Sequence, residues 1–204
     1  MAATTSTTNK RIFRLTTKAF KSGFSYLAVE SIKTTRAEAG EPAFSIKTAH
    51  LKRHYPDFTL YIGSDPDASD ASPVACAYLP GMFRSSKIGL GNVKNAPEAV
   101  QWETMKSKSF GSRDYQWTMP LVSGKHQDLQ WKRSKKHAID GKEPGKGQSW
   151  ILVESGDSDT IYAIFRMQGG IDHCATVQIN MNQGPEFDYM ILITGMLLYS
   201  FSTM

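Results

Sequence analysis

The sequence predicts a mainly β fold: about twelve antiparallel strands closed into a barrel around a hydrophobic C-terminal helix. Three observations lead there. Short runs of alternating apolar and polar residues recur from Arg11 to Ile179, separated by turns rich in Gly, Pro, Asp and Ser. No amphipathic helical pattern alternates with them, which excludes a βαβ series and its parallel sheet. The last stretch, Pro185 to Phe201 (PEFDYMILITGMLLYSF), is apolar on every side.

The strands follow in order. Arg11 to Leu15 opens the domain, and Phe24 to Val29 and Ala43 to Lys47 come next, the latter with Phe44 and Ile46 on one face. Phe58 to Ile62 stops at Gly63, and Val74 to Leu79 runs into the turn dipeptide Pro80-Gly81. A short strand is expected over Lys87 to Leu90. Val100 to Met105, Tyr115 to Met119 and Leu129 to Arg133 each alternate cleanly. Ser149 to Glu154 and Thr160 to Arg166 flank the polar loop Ser155 to Asp159 as a hairpin. His173 to Ile179 is the last strand.

The helix has a marked start. Gly184 precedes Pro185, a residue suited to the first helical position, and Glu186 and Asp188 favour the positive N-terminal end. Beyond them the polar positions are Asp188, Thr194 and Ser200. Six residues apart, they fall near 0°, 240° and 120° at about 100° per residue, so no solvent face exists. A barrel of about twelve strands has a lumen too wide for its own side chains. An apolar helix of about 17 residues within 185–202, roughly 25 Å long at 1.5 Å per residue, fills that vacancy.

The chain of 204 residues is 40% hydrophobic, enough for one β domain over 11–204 behind a disordered tail, 1–10. That tail is Ala/Thr/Ser-rich, with no apolar segment of a secretory signal, so an intracellular, cytoplasmic protein is expected. The net charge of +5 permits an anionic partner without demanding one. Cys76 and Cys174 each lie in an apolar run and read as buried free thiols.

Strands in series, then a Trp150-Ile-Leu-Val-Glu and Ile161-Tyr-Ala-Ile-Phe-Arg pair, then the helix containing Met190-Ile-Leu-Ile-Thr-Gly-Met-Leu-Leu-Tyr, resemble the tubby C-terminal-like superfamily, which includes LURP-one-related proteins and phospholipid scramblases. The resemblance spans the chain from about Arg11. It implies a twelve-stranded barrel around a hydrophobic helix, and it implies a phosphoinositide or other anionic phospholipid as ligand. It places no residue of the tubby phosphoinositide site here, and the chain lacks an acidic calcium segment of the scramblase type.

Candidate residues follow from composition. Lys125, Lys132, Arg133, Lys135 and Lys136 are concentrated in a short stretch and suit an anionic headgroup. Arg84 and Lys87 flank a turn whose Met82 and Phe83 suit shallow contact with a membrane surface, in a protein peripheral to it. Trp131 alternates with Leu129 and belongs to the core. The acidic loops SDPDASD and ESGDSD have turn compositions. The first fails the calcium-loop pattern at Asp70 and Cys76, so no metal is expected. His50 and His54 lack helical ligand spacing, and His173 and Cys174 would face opposite ways. No nucleophile elbow or phosphate loop is present, so the chain reads as a non-catalytic binding module without a cofactor. Nucleic acid is not an expected partner. The alternatives are a protein-interaction or regulatory barrel without lipid binding, and a tail-anchored, scramblase-like membrane protein. The uncharged stretch from Tyr189 is shorter than the ~20 apolar residues of a spanning helix, so no transmembrane span is expected.

Overall fold

The computed structural model describes residues 10–21, 24–33, 42–49, 55–63, 65–79, 85–109, 112–120, 124–134, 136–137, 139, 148–157, 159–168 and 173–203. They form a mainly antiparallel β structure with one C-terminal helix. The strands are β1 (Arg11–Lys21), β2 (Phe24–Lys33), β3 (Pro42–Thr48), β4 (Phe58–Ile62), β5 (Pro73–Tyr78) and β6 (Ser85–Leu90). β7 (Gln101–Ser107), β8 (Tyr115–Pro120), β9 (His126–Ser134), β10 (Ser149–Glu154), β11 (Ile161–Met167) and β12 (His173–Ile179) follow, and α1 (Pro185–Thr203) ends the chain. Each strand pairs with its sequence neighbours, and β1 also pairs with β12, so the run of ladders returns on itself. The seam between β7 and β8 is thin. It holds two residue pairs, Lys106 with Gln116 and Ser107 with Tyr115, where every other neighbouring pair of strands shares four or more.

Alternation along the strands sorts side chains into two sets. Phe13, Leu15, Ile46, Phe58, Leu60, Ile88, Met105, Trp117, Leu129, Trp131, Leu152 and Phe165 share one buried cluster with the helix residues Phe187, Met190 to Ile193 and Met196 to Leu198. A second, smaller cluster holds Ile12, Ile151, Val153 and Ile164 with Ile139, from the connection after β9. Ile12 alternates with Phe13, so this set lies on the outer wall and Ile139 covers it. Arg166, on that same wall, donates from Nη2 to the His137 carbonyl, which pins the connection down.

The helix is held on several sides. Two of its polar positions meet partners on different strands. Asp188 accepts from Arg11 of β1 at 2.7 Å, and Arg11 also donates to the Met181 carbonyl. Thr194 accepts from the Trp131 indole of β9 at 3.1 Å and itself donates to the Met190 carbonyl. Gly195 lets the helix approach β11: a Cβ there would stand 2.9 Å from Cδ2 of Phe165. No helix among the described residues is long and apolar enough to cross a membrane.

Candidate anion-binding end

An antiparallel meander sends alternate connections to opposite ends, and here that sorting also sorts charge. One end carries the connections after β4, β6, β8 and β10 and the start of α1. Its described acids are Asp65, Asp67, Asp70, Glu98, Asp157, Asp159, Glu186 and Asp188, which outnumber the cations Lys10, Arg11, Lys94 and Lys125, and Asp67 reaches back along the wall to Lys47. The other end carries the connections after β3, β5, β7 and β9 and the last turn of α1. Its described cations are Lys108, Arg113, Arg133 and Lys136, all exposed. Its described acids Asp57 and Asp114 are engaged: Asp57 Oδ2 accepts from the Leu79 N–H at 2.7 Å, Asp114 Oδ1 accepts from the Arg133 backbone N–H at 3.1 Å, and the Lys108 N–H bonds the Asp114 carbonyl. The sorting complements the helix dipole, with acids at its positive end and cations at its negative end.

A pocket of about 240 Å³ opens at the basic end, lined by Arg113, Tyr115, Gln148, Trp150, Phe201 and Ser202. Tyr115 stacks on Phe201 with ring centroids 4.8 Å apart, and the Trp150 indole donates to the Arg113 carbonyl at 3.1 Å. Arg113 thus stands beside an aromatic-lined hollow where the helix ends, with Arg133 tied to the next residue along. A cation over a small amphipathic pocket can hold an anionic group with an apolar neighbour.

The residues expected from sequence are distributed as follows. Arg133 and Lys136 are at this end. Lys132 is half-buried on the outer wall of β9, and Lys87 is exposed on β6. Lys125 immediately precedes β9 and lies at the acidic end, separated from Arg133 by eight residues of extended chain, roughly 27 Å. The run is contiguous in sequence but divided in space. Lys135, Arg84, Met82 and Phe83 lie outside the described residues, as do 1–9, His50 and His54. Sequence reading missed Lys108 and Arg113. They sit in the β7–β8 connection, and counting alternate connections would have placed them beside Arg133.

The acidic loops are turns. Asp65 Oδ1 accepts the Asp67 N–H, Asp157 Oδ1 accepts the Asp159 N–H, and Lys47 pairs with Asp67 at 2.7 Å. No group of three metal-ligating side chains is assembled among the described residues. Cys76 and Cys174 are buried and form no disulfide, and burial pushes the Cys76 thiol up to about 12. The largest described pocket, about 570 Å³, lies elsewhere, against β3 to β5, and is lined by Tyr55, Tyr61 and Tyr78.

The β7–β8 seam forms a second concave feature. Continuing its register would pair Met105 with Trp117, Glu103 with Met119 and Trp102 with Pro120, yet no ladder pair forms beyond Lys106 and Gln116. Two hollows of about 360 and 370 Å³ occupy the gap, and both are lined by Trp102 and Glu103. Glu103 pairs with Ile88, so it shares the inward face, and Met190 of the helix lines the same hollow. Closing the hairpin would bury that carboxylate among Met119 and Met190 with no cation beside it, a costly desolvation. Pro120 also offers no N–H to a ladder.

No protein-family model matches this chain, and no curated protein matches it significantly.

Proposed function

We propose that the chain is a non-catalytic binding module with the tubby-like architecture, a barrel closed around its helix, and that its basic end docks on anionic phospholipid headgroups at a membrane surface inside the cell. The observation that carries this is the segregation of Lys108, Arg113, Arg133 and Lys136 to the end where the helix finishes, where Arg113 lines a pocket with Tyr115, Trp150 and Phe201. A flat anionic surface meets such an end all at once. Each Lys or Arg held near an anionic membrane contributes about 1 kcal/mol, so four give on the order of 4 kcal/mol, roughly a thousandfold in affinity.

Co-sedimentation with phosphatidylcholine vesicles, with and without phosphatidylinositol bisphosphate, tests this. Pelleting should require the anionic lipid and fall with salt. The triple change Arg113→Ala, Arg133→Ala and Lys136→Ala should weaken it about a hundredfold, at about 1 kcal/mol each. Equal pelleting with both vesicle types, or by the triple variant, would end the lipid reading. Binding to another protein is the second reading, and the open β7–β8 seam favours it.

A further inference from the structure

We infer that the slot between β7 and β8 binds an extended peptide segment as an inserted strand, with a lysine or arginine side chain set against Glu103. The inference is independent of the basic end.

Three features converge on it. First, both walls are strand edges. Gln101 to Met105 have ladder partners on β6 alone, and Trp117 to Pro120 have them on β9 alone. Their remaining N–H and C=O groups face the gap, and a strand laid between them would pair on both sides. The open stretch, Gln101 to Met105, is five residues, about 17 Å of strand. Second, the gap holds polar groups that the fold leaves unanswered. Glu103 is half-buried and has no hydrogen-bond or ion-pair partner among the described residues. Trp117, which lines the slot, is 2% exposed, and its indole N–H lacks a partner. Third, Trp102 stands at the mouth, 39% exposed, against Tyr78.

The wall chemistry selects the occupant. Residues of an inserted strand point alternately inward and outward. The inward side offers Glu103 amid Met119, Leu90 and Met190, which asks for one cation between apolar neighbours. The outward side offers Thr104, Gln116 and Thr118, which suits polar residues. The other charges at the slot are accounted for. Asp128 accepts from the Thr118 hydroxyl at 2.7 Å, Lys106 sits at the joined end, and His126 sits at the open end. The matching segment alternates as apolar, polar, basic, polar, apolar.

The probe is a fluorescein-labelled, end-capped peptide of sequence Val-Thr-Arg-Thr-Val, followed by anisotropy, with hydrogen exchange of the backbone amides read in parallel. Saturable binding is expected. Replacing the peptide Arg by Leu, or Glu103→Gln in the protein, should weaken it about tenfold, the worth of one charged hydrogen bond. N-methylation of the peptide backbone should abolish it. Oxidising the double variant Thr104→Cys, Thr118→Cys should close the slot and block binding, and reduction should restore it. Arg113→Ala and Arg133→Ala should leave it unchanged. Without peptide, slot-facing amides of β7 and β8 should exchange faster than those of β9, and peptide should slow them. The inference is overturned by no saturation at millimolar peptide, by equal affinity for the Arg and Leu peptides, or by slot amides as protected as those of β9.

Discussion

Gly195 gives a test of helix packing whose sign alone is informative. On a helix in water, Gly→Ala stabilises by about 1 kcal/mol through backbone entropy. Here the new Cβ would meet Cδ2 of Phe165 at 2.9 Å and Cε2 at 3.1 Å. Those ring atoms cannot swing away cheaply. Phe165 is fully buried, with Trp131 at 6.5 Å and Trp150 at 6.0 Å between centroids. Overpacking of this kind costs about 1–3 kcal/mol, so Gly195→Ala should come out destabilising by up to about 2 kcal/mol after the helix gain. Gly195→Leu should cost more. Urea unfolding at constant m-value measures it, and the melting temperature should fall by about 2–4 °C per kcal/mol for a domain of this size. Trimming the ring with Phe165→Leu should relieve the clash, with a coupling of about 1–2 kcal/mol in the double-mutant cycle. A stability gain of about 1 kcal/mol in Gly195→Ala, with no coupling to Phe165, would mean that this face of the helix is open and the packing argument is wrong.

Three further outcomes are expected. Burial raises the Asp188 carboxyl from 3.8 to about 6, outweighing the downward pull of Arg11. A raised folded value means that the folded state holds the proton more tightly, so the stability it contributes is full below about pH 4 and is lost as pH rises to about 6. Relative to Asp188→Asn, the native chain should therefore lose on the order of 2 kcal/mol between those limits in urea titrations. A relative gain would show that the Arg11 pair dominates. Thr194→Val should cost about 1–3 kcal/mol because it strands the Trp131 indole N–H, and the cost should shrink in Trp131→Phe; equal costs in both backgrounds would mean the bond is not made. Neither native thiol should react with a disulfide reagent at neutral pH, whereas Trp102→Ala, which uncovers the wall where Gly89 and Cys76 meet, should make Cys76 reactive; an unchanged rate would contradict that packing.

Much of the fold was legible because alternation is a local signal. Phe58 to Ile62 and Ser149 to Glu154 were placed to the residue, and the helix start followed from Gly184-Pro185. Boundaries failed where the pattern softened: β9 begins at His126, three residues before the apolar alternation, because Gln127 is buried although polar. Trp131 was rightly placed in the core, but its bond to Thr194 joins residues 63 apart and has no local signature. The basic run misled for a related reason. Proximity in sequence suggested one patch, while strand geometry carries Lys125 to the far end of β9 and turns Lys132 onto the outer wall. The open seam was hidden because β7 and β8 each look like ordinary strands. The conflict lies between them, in a carboxylate at an inward position opposite a methionine.

In the proposed architecture the strands enclose α1. Hydrogen exchange of the amides from Met190 to Leu198, measured in detergent-free buffer over a series of urea concentrations, tests it most directly. An enclosed helix exchanges only through global unfolding, with the same free energy and urea dependence as the amides of β10. Exchange of those helix amides by a cheaper, urea-insensitive opening while β10 stays protected would contradict it.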